Sequence, residues 1–188
     1  PYVIDQGPGL PKWKPSNYTE KFYGLSTMRT GIEKSRNLMT IRLADKLGMQ
    51  KILLTAEDFK IEKYLDNNLS MSLGAGLVDL QSLTNAYAMI VNGGKEIYPN
   101  IIESVYDKRG NLILNNENKT CLECTQKTKT IDYSLPEIKT NYNNVLDSSI
   151  AYQITSMLEG VVKRGTGKKL RDLNLDLAGK TGTTNKNT

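Results

Sequence analysis

Lys180-Thr181-Gly182-Thr183-Thr184-Asn185 is the stretch that decides how this chain is read. Small β-branched residues around one glycine suit the edge of an extended strand, where another backbone can lie close. The lysine at its head sets a positive charge facing whatever docks there. Working outward, the strand is expected over 175–184, and a turn at Gly165-Thr166-Gly167 precedes it. Before the turn comes a long helix, capped by Asp147 or Ser148 and running to about Lys163. Its Ile150, Ile154, Met157, Leu158 and Val161 recur at helical spacing and mark a buried face.

The second polar signature, Ser35-Arg36-Asn37, lies far upstream between two expected helices. One runs from Met28 to Glu33 after Leu25-Ser26-Thr27, the other from Leu38 to Leu47. Leu38, Ile41, Ala44 and Leu47 line one face of the latter, and Gly48 ends it. A triplet at such a junction can point its side chains into a cleft. Residues 1–24 are irregular, broken by Gly7-Pro8-Gly9, Pro11 and Pro15, with Trp13 and Tyr18 as surface anchors. Residues 55–66 and 69–76 read as short helix and loop, with Gly74 and Gly76 allowing close backbone approach. Asp79 caps a helix over 80–91, where Leu80, Leu83, Ala86, Tyr87 and Ile90 form a core stripe before Asn92-Gly93-Gly94 stops it. From Ile101 the period changes to that of a β-hairpin turning at Asp107-Lys108-Arg109-Gly110. Residues 115–143, rich in Asn, Thr and Lys, read as an exposed insertion.

With 188 residues, 38% of them apolar and 24% charged, the chain has the make-up of one soluble globular domain. It holds no apolar run of 18 residues and no apolar N-terminal segment with basic flanks, so neither a membrane span nor an export signal is expected within it. The net charge of +5 is scattered, densest at Lys163-Arg164, Lys168-Lys169 and Arg171. No basic stripe interleaves with aromatics, so the charge reads as solvated surface and not as a nucleic-acid face; it would also suit an anionic polymer such as a cell wall. The chain has no histidine. That removes Ser-His-Asp and Cys-His mechanisms and the usual metal ligands, and leaves lysine as the base for any acyl transfer. Cys121 and Cys124 are the only cysteines and lack two further soft ligands for zinc, so no metal and no cofactor are expected. A local disulfide in an oxidising compartment is the preferred reading of this pair; redox chemistry, free thiols and a shared metal site are the alternatives.

K-T-G and S-x-N are two of the three elements of the serine acyl-transfer enzymes, the β-lactamases and penicillin-binding proteins. The third, S-x-x-K, supplies the nucleophile, and no serine here is followed three places later by lysine. The expectation is therefore a piece of a larger domain, cut on both sides. In order, the matching pieces are Trp13-Lys14-Pro15-Ser16-Asn17-Tyr18, Ser35-Arg36-Asn37, Asn85-Ala86-Tyr87-Ala88 ending in Asn92-Gly93-Gly94, and Leu158-Glu159-Gly160-Val161-Val162. They continue with Arg164-Gly165-Thr166-Gly167 and Ala178-Gly179-Lys180-Thr181-Gly182-Thr183-Thr184-Asn185. Together they resemble the transpeptidase domain of a class A, bifunctional penicillin-binding protein over nearly the whole chain apart from 111–143. The Cys-x-x-Cys insertion resembles that of α-proteobacterial members.

The resemblance implies an α+β fold, an antiparallel sheet flanked by helices with a helical lobe beside it. Residues 1–97 would be the mainly helical part, 98–143 the hairpin and polar insertion, and 144–188 the long helix and K-T-G strand. It also implies a serine-type D,D-transpeptidase that cross-links peptidoglycan stem peptides through an acyl-serine intermediate and is blocked by β-lactam antibiotics. The parent would be membrane-anchored upstream, on the periplasmic side of the bacterial inner membrane. Ser35 would relay a proton to the leaving amine, Lys180 would tune that relay and attract the substrate carboxylate, and the Asn37 amide would hold a substrate carbonyl. Arg36 would face solvent or a neighbouring carboxylate. Thr181, Gly182 and Thr183 would bind substrate, the Thr183 N–H forming half of the oxyanion hole. Alternatives are a D,D-carboxypeptidase or β-lactamase-like hydrolase, and a non-catalytic binding module. Read singly, Ser35 and Asn37 are helix caps and Lys180 a solvated lysine; the ordered set reverses that.

Overall fold

The computed structural model describes residues 2–5, 9, 11–19, 21–116, 119–121, 138–140 and 142–182, the two triplets as backbone only. Among the described residues, five α-helices carry the fold. Helices α1 (Met28–Glu33), α2 (Asn37–Leu47) and α3 (Met49–Asp58) follow one another with little between them. Helix α4 (Leu80–Val91) and the long α5 (Ser148–Lys163) complete the helical part. Strands β1 (Ser104–Tyr106) and β2 (Leu112–Asn115) form the expected hairpin, Val105 opposite Leu114. Strands β3 (Lys119–Cys121) and β4 (Ile138–Thr140) form a second antiparallel pair inside the stretch read as an exposed insertion. The architecture is α+β, as expected.

Caps fix the helix starts. The Thr27, Asp79 and Asp147 side chains accept from the backbone N–H of Thr30, Ser82 and Ser149, each satisfying a donor that the first turn leaves unpaired. Helix α2 is capped from a distance: neither Ser35 nor Asn37 caps it. Instead buried Asn17 accepts from the Leu38 N–H at 3.2 Å and donates to the Lys21 carbonyl at 2.8 Å. That bond ties the irregular N-terminal segment to the helix behind the signature triplet. Trp13 also holds this segment, exchanging two 2.9 Å backbone bonds with Ile4, whereas Tyr18 is 89% exposed and anchors nothing.

One core gathers Phe59, Ala86 and Met89, with Ile61, Ile90, Ile97, Val145 and Leu146 packed around them. Gly94 lets the chain close there: it sits at φ 83° and its carbonyl accepts from both Val145 and Leu146. On α4 the buried side is Ala86 and Met89, while Leu80 is 81% exposed and Leu83 and Tyr87 are exposed too. Four of its twelve residues are polar, so the helix has an apolar stripe, but the side that Phe59 and Ile61 cover is the one carrying Ala86 and Met89. On α2, Leu38, Ile41 and Ala44 are buried as expected, but Leu47 is exposed. On α5, Ala151, Val161 and Val162 are buried and Ile150 is exposed.

The expected strand over 175–184 forms no ladder among the described residues; 176–182 has no regular secondary structure, and the Gly179 N–H reaches the Leu158 carbonyl of α5 at 3.3 Å.

Candidate active site

Ser35 occupies an unusual place in the backbone. Helix α1 ends in a Schellman closure, with the Arg36 N–H on the Gly31 carbonyl at 2.9 Å and the Ser35 N–H on the Ile32 carbonyl at 3.1 Å. Ser35 stands at the position that glycine favours, in the left-handed region at φ 51°. A Cβ there costs about 1–2 kcal/mol, a penalty kept only where the surroundings over-determine it. The reward is direction. The turn aims the Ser35 hydroxyl across the junction at Lys180, whose ammonium donates to it at 2.7 Å over 145 residues of chain. The Lys180 ammonium also donates to the Thr181 carbonyl at 3.0 Å. Loss of water around this ammonium pushes its pKa below the ordinary lysine value.

Thr181 is exposed, and its hydroxyl is hydrogen-bonded to the Thr166 hydroxyl at 2.7 Å. Gly182 borders open space. Asn37, in the first turn of α2, donates its amide to the Ser16 carbonyl at 3.3 Å, a long bond that a better acceptor would displace. Arg36 corrects its expectation. It turns from solvent to stack its guanidinium on the Tyr23 ring, leaving its Nε buried with no hydrogen-bond partner among the described residues. Thr183 lies outside the described residues, as does Cys124; the oxyanion-hole and disulfide expectations rest on them.

The sequence reading missed how the junction is held. Glu33, last residue of α1, is 5% exposed, and Arg164 clasps its carboxylate with two bonds, Nε to Oε2 at 2.9 Å and Nη2 to Oε1 at 2.5 Å. Arg29 adds a weaker contact at 3.7 Å. The Glu33 carbonyl accepts from the Thr166 N–H at 3.1 Å, and the Lys34 ammonium donates to the Arg164 carbonyl at 2.5 Å. Arg164-Gly165-Thr166-Gly167 thus docks onto the end of α1. Gly160 and Gly165 make the docking close. A Cβ on Gly160 would overlap the Glu33 carboxylate, and one on Gly165 the Glu33 carbonyl. An acidic residue two places before the triplet, with an arginine in a distant glycine turn, was the available signal.

A serine hydroxyl bonded to a partly desolvated lysine thus lies at a helix junction beside a threonine-glycine edge, bringing the two polar signatures into one place. The chain belongs to the penicillin-binding protein transpeptidase domain family, whose model matches residues 2–188. It is 43% identical to penicillin-binding protein 1A of Rickettsia conorii over 98% of its own length, and spans 24% of that relative. It is 29% identical to penicillin-binding protein 1A of Pseudomonas aeruginosa, over 92% of this chain and 25% of that one. The fold matches the crystal structure of penicillin-binding protein 1A from Haemophilus influenzae with a TM-score of 0.79 at 26% identity, covering 98% of this chain and 30% of that one. The Rickettsia relatives agree with the α-proteobacterial, class A resemblance.

Proposed function

We propose that this chain carries two of the three catalytic elements of a serine-type D,D-transpeptidase that cross-links peptidoglycan stem peptides. The observation that carries the reading is the 2.7 Å bond from Lys180 to Ser35, joining S-x-N to K-T-G within a chain of this family. The nucleophile is a serine of an S-x-x-K element, which these 188 residues do not hold. That serine gives its proton to the lysine of the same element, attacks a stem-peptide carbonyl and becomes acylated as the carbon–nitrogen bond to the leaving amine breaks. The leaving amine needs a proton, which Ser35 passes to it while Lys180 replenishes Ser35. A lysine whose pKa lies below the ordinary value gives up that proton more readily than a solvated one. Lys180 and the hydroxyls of Thr181 and Thr183 attract the substrate carboxylate, Gly182 lets its backbone approach, and the Asn37 amide exchanges the Ser16 carbonyl for a substrate carbonyl. The Thr183 N–H completes half of an oxyanion hole.

A second stem-peptide amine then takes the acyl group, and a β-lactam meets the same serine and remains attached. The parent protein sits on the periplasmic side of the inner membrane, anchored upstream of this segment. The test is labelling with a fluorescent penicillin. The full-length parent is expected to label stoichiometrically and to lose labelling on Ser35→Ala or Lys180→Ala; this chain alone is expected to remain unlabelled. Labelling of the isolated chain, or undiminished labelling of both variants, would refute the assignment.

A further inference from the structure

We propose that Glu33 and Arg164 are positioning residues of the acyl-transfer site, their paired side chains setting the Ser35 hydroxyl in register with Lys180. The inference rests on the reading given under Proposed function. Four contacts form a closed circuit. Glu33, two residues before Ser35, is gripped by Arg164 through two parallel bonds at 2.9 and 2.5 Å. Arg164 belongs to the turn whose Thr166 donates its N–H to the Glu33 carbonyl and pairs its hydroxyl with Thr181 at 2.7 Å. Thr181 follows Lys180, and Lys180 returns to Ser35 at 2.7 Å. Each signature is thus held to the same short turn by its immediate neighbours.

The chemistry of the pair favours a geometric role. A carboxylate as enclosed as Glu33 gives up much of its hydration, so such a pair contributes little net stability compared with apolar packing. Its two-bond fork fixes distance and angle together, which a single contact does not. The neighbouring glycines admit nothing between the partners: a Cβ on Gly160 would stand 2.5 Å from the Glu33 Cδ and 2.9 Å from the Arg164 Nη2. Ser35 itself sits in a left-handed conformation that a looser junction would relax. A displacement of about 1 Å at a reacting group costs on the order of 100-fold in rate.

The experiment measures acylation of the full-length parent by a fluorescent penicillin over a range of concentrations, separating the first-order acylation constant from the half-saturating concentration. Glu33→Gln and Arg164→Lys are expected to lower the constant by about 10- to 100-fold, with half-saturation shifted less than about 3-fold. Arg164→Lys keeps the charge and loses the fork, so it is expected not to rescue. Thr166→Val, at an exposed position outside the ion pair, is expected to lower the constant by about 10-fold without changing the unfolding temperature. It decides the matter if Glu33→Gln does not fold. Acylation constants within twofold of the parent's in the folded variants would overturn the inference, as would loss of both parameters in step with loss of folded protein. A wild-type parent that takes no label overturns the transpeptidase reading, and the inference falls with it.

Discussion

Gly160→Ala puts the clasp under direct strain. The substitution adds one methyl in the last turns of α5, where alanine normally stabilises a helix by about 0.5–1 kcal/mol over glycine. Here the new Cβ overlaps the Glu33 Oε1 and stands 2.5 Å from Cδ, with Arg164 Nη2 at 2.9 Å. Restoring ordinary separation requires the carboxylate to retreat by about 1 Å. Glu33 is buried and held on both sides, so the retreat lengthens the bonds to Arg164. Overpacking costs about 1–3 kcal/mol; the Arg164 side chain is 53% exposed, so loosening its bonds to Glu33 adds no more than about 1 kcal/mol. After the helix gain is offset, the expected loss is about 1–2 kcal/mol. At a urea slope of about 2 kcal/mol/M, the far-UV circular dichroism midpoint falls by about 0.5–1 M. Gly179→Ala is the control, since its Cβ would meet open space, and it should stay within about 0.5 kcal/mol. Shortening the acid in Gly160→Ala/Glu33→Asp should recover part of the loss, because the two sites couple directly. A Gly160→Ala midpoint equal to or above the wild-type value would refute the reasoning: α5 would then be free to shift away from α1.

Three further outcomes follow from the same geometry. At position 35 the usual ranking reverses: Ser35→Gly should be more stable than Ser35→Ala by about 0.5–1 kcal/mol in urea unfolding, because glycine relieves the left-handed strain at φ 51° that alanine retains; equal midpoints would show that the turn relaxes. Glu96 is held below the usual carboxylate range by hydrogen bonds from Tyr98 and Asn143, with Lys60 adding attraction. Its folded pKa lies below its unfolded one, so its stabilisation is complete above the ordinary carboxylate pKa and is lost as pH falls through the depressed folded value. Glu96→Gln should flatten that acid limb of the stability curve, and an unchanged limb would contradict the assignment. Lys180 titrates below the ordinary lysine value, while Lys163, bonded to Glu159, and Lys63, bonded to Tyr64, titrate above it. At mildly alkaline pH an amine reagent read by peptide mass spectrometry should modify Lys180 ahead of those two, and uniform labelling would count against the desolvated site.

Local chemistry was legible where the chain carries its own punctuation. Asp79 and Asp147 announce their helices because a short side-chain acceptor caps the first turn wherever the fold places it. The hairpin turn at Asp107 to Gly110 is equally self-contained. Gly48 misled, because it does two jobs. At φ 83° and ψ 136° it ends α2 and begins α3 at once, so the helix expected from Thr55 starts at Met49, with no capping side chain to signal it. Burial was less legible than structure. On α4 the apolar stripe and the buried side do not coincide, because Phe59 and Ile61, which cover Ala86 and Met89, come from another part of the chain. The two signatures of the site could be read because each is a compact cluster of reactive groups. Glu33 could not, since an acid at the end of a six-residue helix reads as solvated until Arg164 arrives from 131 residues away.

The contrast bears on why Ser35 is a serine at all. For stability alone, the closing position of α1 favours glycine, and both backbone bonds of the Schellman turn would survive that change. For aim, the left-handed turn is an asset: it lifts a side chain off the helix surface and presents its hydroxyl to Lys180 at 2.7 Å. A strained residue keeps its direction only if the backbone on either side cannot yield. The preceding side is fixed by Glu33 in the grip of Arg164, and the following side by Asn17 holding the Leu38 N–H. Strain at one residue and two remote tethers around it are therefore parts of one arrangement. The strain gives the hydroxyl its bearing, and the tethers keep the turn from relaxing.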